Sequence, residues 1–227
     1  MDLTNSNACI ISCGVGGWYG VGVQRLHSSL VFHGYAGALL LYKDTYPPDC
    51  PPHNESPYAF KIYAFREAIK LGYRQILWLD SSFWCVKTPH HIFDDIIDNG
   101  VVGFSSGYNL AQTAPDLLLK RMGWSRDYAE SLPEIATGMV GLNLDNPNGK
   151  AVFDLWAQLC DEGYFKNSRF HDTNDSLDHR FLHGRQDQSA YSCAIHELGI
   201  KISVNDYVSY YGTGNNPDKV TFLIGGL

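Results

Sequence analysis

The chain has 227 residues, of which 44% are hydrophobic and 18% are charged. This composition excludes a largely disordered polypeptide, and the length suits one sizeable domain or two small ones. The formal net charge of −7 argues against a broad surface for duplex DNA, although it does not exclude a nucleotide. No internal repeat or low-complexity linker interrupts the sequence, so we expect a single domain over residues 1–227.

The sequence carries no recognisable membrane or export signal. No apolar run approaches the roughly 18 residues that span a bilayer, and the polar start, 1–7, lacks the basic residues of a signal peptide. We therefore expect no transmembrane segment and a cytoplasmic protein. The six cysteines form no C-x-x-C pair, which favours reduced thiols. Cys50 and His53 could form half of a zinc site, but no second half follows.

Buried strands alternate with helices in the first half of the chain. Apolar runs bounded by polar residues predict strands, and apolar positions three or four apart predict helices. The predicted order is strand 8–13, helix 23–32, strand 38–42, helix 58–71, strand 76–79, helix 89–99 and strand 101–104. A proline-rich loop, 46–57, precedes the second helix, whose N-cap we assign to Ser56. This alternation favours parallel strands covered by helices.

The second half is less regular. Its predicted elements are a polar, partly helical stretch 105–133, a strand 137–144, a turn 146–149, a helix 150–162, an irregular segment 164–184 rich in His and Asp, a helix 188–198 and a strand 200–204. The longest structureless stretch is therefore the one before the last helix.

A glycine-rich turn, 14–22, connects the first strand to the first helix. Its glycines would let backbone N–H groups approach a phosphate at the helix N-terminus, with Trp18 or Tyr19 stacking on a base. Asp44 ends the second strand, where a dinucleotide-binding enzyme carries its ribose-binding acid. A nicotinamide-dependent oxidoreductase of the short-chain type is one candidate, although its Tyr-x-x-x-Lys pattern is absent from the chain. A merely flexible loop is the structural alternative.

The third predicted strand, 76–79, runs directly into Asp80-Ser81-Ser82. An acid at the carboxyl end of a buried strand lies where open α/β sheets bind their ligands. Asp80 is thus a candidate ligand for a divalent metal and, through the metal, for phosphate. The alternative is that Asp80 only caps the following turn.

A polar segment, 183–189, opens the last predicted helix. Within it, Asp187 could accept hydrogen bonds from sugar hydroxyls, and Arg185 could offset phosphate charge. Asp187 could equally cap the helix that follows. A Ser-His-Asp or Cys-His catalytic set is not favoured, because the nine histidines are scattered and no Gly-x-Ser-x-Gly occurs.

The order of these motifs resembles that of nucleotide-sugar glycosyltransferases of the GT-A fold. The resemblance rests on the glycine-rich turn, the lysine-bearing second helix, Asp80-Ser81-Ser82, and the segments 137–143 and 187–190. It spans roughly residues 8–204. It implies a single α/β domain with a Rossmann-like, mixed, mostly parallel sheet flanked by helices. It also implies a donor-binding half at about 8–104 and an acceptor-side half at about 105–227.

The resemblance implies a metal site as well. Asp80 and Ser82 stand at the two acidic positions of the family's Asp-x-Asp motif, which holds Mn²⁺, or Mg²⁺, on the donor diphosphate. A metal there would neutralise the leaving group as a Lewis acid. Ser82 lacks the second carboxylate, and the His-containing signature that closes many family members is missing. His183 is the remaining candidate for a third ligand.

Other positions receive roles from the same resemblance. Asp187 and Gln188 correspond to a catalytic Asp-Gln pair near the reacting carbon. The candidate donor-binding residues are Gly14, Trp18, Tyr19, Asp44, Lys61, Thr137, Gly138 and Arg185. Lys61 and Arg185 would face the departing diphosphate. The stereochemistry stays open, and an inverting enzyme would need a carboxylate base, for which Asp187 and Glu134 are candidates.

Together these features predict a glycosyltransferase that moves a sugar, expected from a UDP-hexose, to a hydroxyl of a glycan or another acceptor, with metal assistance. The alternatives are the oxidoreductase and a catalytically inactive module that binds a sugar or nucleotide. Acceptor contacts are expected from 105–134 and 164–184, whose aromatic residues include Tyr108, Trp124, Tyr128, Tyr164 and Phe165. Such rings suit sugar faces and core packing equally well.

Overall fold

The computed structural model describes residues 7–165, 175–204, 206–210 and 220–225. The strands are β1 (Ala8–Gly14), β2 (Ala38–Lys43), β3 (Gln75–Leu79), β4 (Phe83–Cys85), β5 (Val101–Asn109), β6 (Pro133–Asn143), β7 (Ser203–Val204), β8 (Val208–Tyr210) and β9 (Phe222–Ile224). The helices are α1 (Tyr19–Phe32), α2 (Phe60–Lys70), α3 (His90–Asn99), α4 (Leu110–Thr113), α5 (Asp116–Met122), α6 (Arg126–Glu130), α7 (Pro147–Asp161) and α8 (Gln186–Glu197). Residues 166–174 of the predicted irregular segment lie outside this description.

A six-stranded mixed sheet with the order β2-β1-β3-β6-β5-β7 forms the centre of the fold. β1 is parallel to both β2 and β3, and β5 is parallel to β7. β6 is antiparallel to both of its neighbours, β3 and β5. The predicted α/β class with a mixed, helix-flanked sheet is therefore confirmed. Because Leu79 pairs with Met139, the antiparallel β6 brings residues 137–139 beside the end of β3.

The strands divide their side chains between two apolar layers. In β1, Cys9 and Ile11 pack in a layer shared with α2, α7 and α8, whereas Ala8 and Ile10 pack with α1 and α3. All seven residues of β1 are buried, as expected for a central strand covered on both faces. Because helices cover both faces of β1, its sequence is almost continuously apolar and does not alternate with polar residues.

The first helix is longer than predicted because its glycines are helical. α1 begins at Tyr19, so only the first part of the segment 14–22 is a turn. A Cβ atom on Gly20 would lie 2.2 Å from Asp44 Oδ1, and one on Gly22 would lie 2.3 Å from the Ser81 carbonyl oxygen. Glycine is therefore required at Gly22 for α1 to approach the end of β3, whereas a side chain at Gly20 would have to displace the Asp44 carboxylate.

The second helix begins at Phe60, two residues later than predicted, and Ser56 is not its N-cap. Tyr58 has a left-handed backbone conformation, with φ of 62°, just before the observed N-cap Ala59. A non-glycine residue in this region is strained by about 1–3 kcal/mol, and such strain concentrates at functional sites. The strain marks Tyr58 as a candidate functional position.

Two boundaries in the second half also differ from prediction. α7 begins at Pro147 because the Asn146 side chain accepts a hydrogen bond from the Asn148 backbone N–H. The predicted turn at 146–149 is thus the cap and first turn of this helix. β5 and β6 are both longer than predicted because they pair with each other beyond the central sheet positions. The predicted strand 200–204 is reduced to β7.

The sequence did not predict a second, three-stranded sheet with the order β4-β9-β8. Each of its strands has three residues, which is too short for an alternating pattern to be recognised. β9 pairs antiparallel with β4, which directly follows the segment 80–82. The last described strand is therefore attached to the loop that carries Asp80.

No described helix combines the length and the apolar composition needed to cross a membrane. The six cysteines are all free, and Cys50 alone of the six is not buried. Burial raises the pKa of the Cys13 thiol to about 12, so this thiol is protonated at neutral pH. These features fit the prediction of reduced thiols.

Candidate active site

A cleft with a volume of about 420 Å³ opens at the carboxyl ends of β1 and β3. Its lining residues are Cys13, Gly14, Val15, Tyr19, Tyr46, His53, Tyr58, Phe60, Asp80, Ser81 and Ser82. Open α/β sheets bind their ligands at this edge. Of the predicted site residues, the cleft brings together Gly14, Tyr19, Asp80 and Ser82.

Asp80 lies at the cleft with its side chain 37% exposed. Its backbone N–H donates to the Gly138 carbonyl at 2.8 Å, which fixes the end of β3 against β6. Trp78 Nε1 donates to Asp80 Oδ1 at 2.7 Å. The carboxylate is therefore oriented through one oxygen while part of the group faces the cleft. Burial raises the pKa of the Asp80 carboxyl, and Lys61 and Trp78 oppose that rise.

Lys61 is a buried cation between two carboxylates. Its Nζ lies 2.8 Å from Asp187 Oδ2 and 3.2 Å from Asp80 Oδ1. It also donates to the carbonyl oxygen and Oγ1 of Thr137, at 3.0 and 3.1 Å. Burial alone would lower the pKa of the Lys61 ammonium, but the two carboxylates outweigh burial and raise that pKa.

The position of Lys61 corrects the predicted role of this residue. Only 2% of Lys61 is exposed, and four protein oxygens surround an ammonium that has three hydrogens to donate. Lys61 therefore does not face the cleft as a phosphate ligand in this conformation. It is the counter-ion that holds Asp80 and Asp187 together.

Thr137 links the cation to the start of α8. Its Oγ1 donates to Asp187 Oδ2 at 2.6 Å, and its backbone N–H donates to Gln188 Oε1 at 3.2 Å. Trp156 Nε1 donates to the Asp187 carbonyl at 2.9 Å. Thr137 is 2% exposed, so it does not face a donor sugar as predicted. It instead holds the acidic pair, Asp80 and Asp187, through its contacts with Asp187 and Lys61. Gly138 contributes its carbonyl to the Asp80 N–H.

The start of α8 also decides between two interpretations of Asp187. Arg185 is the N-cap of this helix, and no side-chain hydrogen bond caps it. The Asp187 carboxylate instead binds Lys61 and Thr137, so capping is not its role. Asp187 and Gln188 are 4% and 7% exposed, which places both just beneath the surface. Their catalytic assignment stays a prediction.

Asp44 and Trp18 do not line the cleft as predicted. The Asp44 carboxylate covers Gly20 in the first turn of α1, where a negative charge is favourable. Trp18 stacks on Tyr19 with ring centroids 4.7 Å apart, which leaves Tyr19 as the cleft-lining ring of the two. A carboxylate at this helix terminus would repel the pyrophosphate of a dinucleotide.

The sheet order provides a second argument against the oxidoreductase. In the dinucleotide-binding fold the strand order is 3-2-1-4, with the third strand next to the second. Here β3 pairs with β1, on the side away from β2. Asp44 follows β2 as predicted but does not line the cleft, and the expected strand order is missing, so the structure gives this alternative no support.

His183 and Arg185 directly precede α8, and neither lines the cleft. The His183 ring packs edge-on against Tyr108 at 5.5 Å, and the Arg185 guanidinium lies 5.7 Å from the same ring. Within the described part of the chain, no three His, Cys, Asp or Glu side chains are grouped closely enough to hold a metal. The His183 ring therefore belongs to no such group, and the structure gives no support to its prediction as a third ligand.

The loop after Asp80 is held by an arginine that the sequence did not indicate. Arg25 Nη2 donates to the Ser82 and Gly225 carbonyls, each at 2.9 Å, and the guanidinium lies 4.4 Å from the Trp84 ring. The Gly225 N–H also donates to the Ser82 carbonyl at 3.2 Å. Arg25 thus fastens β9 to the segment that carries Asp80.

One wall of the cleft is aromatic and comes from the proline-rich loop and α2. His53 packs edge-on against Tyr58 at 5.0 Å and stacks on Phe60 at 6.1 Å. Tyr46 also stacks on Phe60, with ring centroids 6.1 Å apart. This wall could not be predicted from the sequence because its rings are irregularly spaced along a loop.

The predicted acceptor-side aromatic residues have mixed positions. Phe165 is fully buried against Trp156, so it belongs to the core. Tyr108 and Tyr128 are 36% and 48% exposed. Trp124 packs edge-on against Tyr128 at 5.5 Å. Only the exposed rings stay available for a ligand.

No protein-family model matches the chain, and no curated protein has a similar sequence. Solved structures of several glycosyltransferases share its fold. Mouse xyloside xylosyltransferase 1, in its apo form, is 9% identical, with 96% of this chain and 97% of that chain covered at a TM-score of 0.55. A glycosyltransferase involved in the glycosylation of the major capsid of PBCV-1 is 15% identical. The match covers 96% of this chain and 93% of that chain at a TM-score of 0.50.

The third structure is the apo form of the bifunctional glycosyltransferase WbbM, which is 11% identical. The match covers 96% of this chain and 45% of that chain at a TM-score of 0.53. At sequence identities this low, the structural match establishes a shared fold and not a shared substrate. The chain has the GT-A-type fold of these glycosyltransferases.

Proposed function

We propose that this protein is a glycosyltransferase that moves a sugar from a nucleotide-sugar donor to a hydroxyl acceptor. One observation carries the proposal. Asp80, at the carboxyl end of β3, is joined through Lys61 to Asp187, at the start of α8, beside a cleft of the right size. The fold places this arrangement at the sheet edge where α/β proteins bind nucleotides.

The cleft suits the nucleotide part of a donor. Its volume of about 420 Å³ falls within the range of small-molecule sites. Tyr19 lies on the α1 side, and His53, Tyr58 and Phe60 lie on the α2 side. Aromatic walls of this kind bind the flat faces of a base by stacking. We expect a uridine diphosphate, carrying a hexose, to be the ligand.

A divalent metal, Mn²⁺ or Mg²⁺, fits this site if it arrives with the diphosphate. Lys61 neutralises one of the two carboxylates, so the three groups carry a net charge of −1. Hard cations are often held by one or two carboxylates together with substrate phosphates and water. Asp80, with the neighbouring Ser82 hydroxyl, would hold the metal. When bound, the metal would neutralise charge on the leaving diphosphate.

The protein's own residues supply orientation around the reacting carbon. In the transfer, the bond from the anomeric carbon to the diphosphate breaks, and a bond to the acceptor oxygen forms. The acceptor hydroxyl gives its proton to the departing diphosphate oxygen, which balances the step. Positive charge develops on the sugar, and the Asp187 carboxylate, locked by Lys61 and Thr137, would stabilise that charge. The acceptor hydroxyl would approach the anomeric carbon from the open side of the cleft.

A binding comparison tests the proposal against its alternatives. Thermal unfolding is measured with UDP plus Mn²⁺, with UDP alone and with NADP. A ligand at about a hundred times its dissociation constant should stabilise the protein by roughly 2.7 kcal/mol. We expect that gain for UDP plus Mn²⁺ only. Stabilisation by NADP, with none by any nucleoside diphosphate, would overturn the proposal. Binding without turnover of any donor would favour the inactive module.

A further inference from the structure

Glu134 is a fully buried acid that the proposed chemistry does not use. It lies in β6, and its Oε2 accepts hydrogen bonds from Gln188 Nε2 at 2.6 Å and Ser106 Oγ at 2.8 Å. Ser189 Oγ donates to Oε1 at 3.4 Å. A carboxylate enclosed in this way cannot take a proton from an acceptor hydroxyl. The suggestion that Glu134 is a catalytic base is therefore wrong for this conformation.

Gln188 is held at both ends of its amide. Its Oε1 accepts from the Thr137 backbone N–H at 3.2 Å, while its Nε2 donates to Glu134. In the flipped orientation, two donors would face each other at Thr137 and two acceptors at Glu134. An ionised Glu134 thus permits one orientation of the amide and opposes the other.

The amide reaches the acidic pair through Thr137. The same residue donates from Oγ1 to Asp187 and accepts from Lys61 at its carbonyl. Any rotation of the Gln188 amide would release the Thr137 N–H and disturb these contacts. The groups that face Glu134 come from β5, α4 and α8. Burial raises the pKa of Glu134, whereas hydrogen bonds from Thr113, Ser106 and Gln188 and the charge of Arg185 oppose the rise.

We infer that Glu134 is a positioning residue whose carboxylate fixes the Gln188 amide and, through it, the Thr137 backbone beside Asp187. The inference rests on the proposed function for its catalytic consequence. Its structural part, the restraint on the Thr137 N–H, stands without any knowledge of the substrate.

The test compares Glu134→Met with Ser106→Ala. Glu134→Met keeps an apolar chain of similar length but removes the acceptor of Gln188 Nε2. Ser106→Ala removes a different donor to the same oxygen and leaves the Gln188 contact intact. Hydrogen–deuterium exchange of the Thr137 amide is measured under native conditions, together with kcat and KM for donor turnover.

We expect Thr137 exchange to rise about fivefold in Glu134→Met, as expected for one lost hydrogen bond, and to stay unchanged in Ser106→Ala. We also expect kcat to fall by about tenfold or more with KM changed less than about threefold, because no cleft-lining residue is altered. Unchanged Thr137 exchange would overturn the inference, and so would unchanged kcat with faster exchange.

A second variant pair covers the case in which Glu134→Met does not fold. Gln188→Glu places two carboxylates against each other. Adding Glu134→Gln restores the hydrogen bond with the roles exchanged, because the amide at position 134 now donates to the carboxylate at position 188. We expect the double variant to recover the slow Thr137 exchange that the single variant loses. If it does not, the hydrogen-bond pairing is not what restrains Thr137. A wild-type protein that turns over no donor would refute the proposed function, while the exchange measurement would still decide the role of Glu134.

Discussion

Lys61 and Asp187 form a buried ion pair, with Nζ 2.8 Å from Oδ2 and only 3% and 5% of the two side chains exposed. The same ammonium reaches Asp80 Oδ1 at 3.2 Å. The two acids come from distant parts of the chain, and one cation determines how close they lie. The distance between the two carboxylates at the candidate site therefore depends directly on Lys61.

Replacing Lys61 with Met should lower the free energy of unfolding by about 3–5 kcal/mol, because the buried carboxylates lose their counter-ion. Urea unfolding at neutral pH measures the loss. Lys70→Met, in the same helix but with a side chain 75% exposed, should change stability by less than about 0.5 kcal/mol. Equal stability of the two variants would contradict the counter-ion role.

The contribution of Lys61 should also depend on pH. Its pKa is raised in the folded protein, so its stabilisation is fully present below the unfolded pKa of about 10.4. It is lost as the pH rises through the folded pKa. We expect the stability difference between wild type and Lys61→Met to be constant from pH 7 to about 10 and to shrink above that. A difference that already falls near neutral pH would mean that Lys61 is not the titrating group.

Arg25 should affect donor binding although it does not line the cleft. Arg25→Met removes the hydrogen bonds to the Ser82 and Gly225 carbonyls and frees the loop after Asp80. We expect the dissociation constant for UDP with Mn²⁺, measured by calorimetry, to rise about fivefold or more. Arg121→Met, which breaks only a surface pair with Glu162, is the matched control. If both variants bind UDP with the same affinity, the contact between Arg25 and the loop after Asp80 does not contribute to donor binding.

Tyr58 should show opposite effects on stability and binding. Tyr58→Gly relieves a left-handed backbone, so the free energy of unfolding should not fall and could rise by about 1 kcal/mol. The same change removes a ring from the cleft wall and should weaken nucleotide binding by about tenfold. Tyr58→Phe keeps the ring and should bind as wild type does. A large loss of stability in Tyr58→Gly would show that the ring is mainly a packing element.

The sequence predicted the central strands well because continuous apolar runs are unambiguous. β1, β2 and β3 lie within one residue of their predicted bounds, and Asp80 follows β3 as expected. The position of the cleft, at the carboxyl ends of β1 and β3, follows from the strand order alone. The general resemblance in motif order then led to the right fold, although no sequence comparison detects it.

The parts that could not be predicted depend on contacts between distant residues. The resemblance singled out Lys61 as a donor-binding residue, but nothing local in the sequence reveals its two acidic partners. The sequence did not indicate Arg25 for the same reason, and it suggested Glu134 only as a catalytic base because its buried partners are distant in the chain. β8 and β9 have three residues each, which is too short for a periodic pattern. The aromatic cleft wall arises from loop geometry that propensity does not encode.

Donor turnover by wild type and Asp80→Asn tests the central claim most directly. Release of nucleoside diphosphate from a panel of nucleotide sugars is measured with Mn²⁺, with and without glycan acceptors. Asp154→Asn, a surface change on α7, is the control. We predict turnover of a UDP-hexose by wild type and Asp154→Asn, and a loss of about a hundredfold or more in folded Asp80→Asn. Wild-type turnover that Asp80→Asn fully retains, or no turnover of any nucleotide sugar by the wild type, would contradict the account.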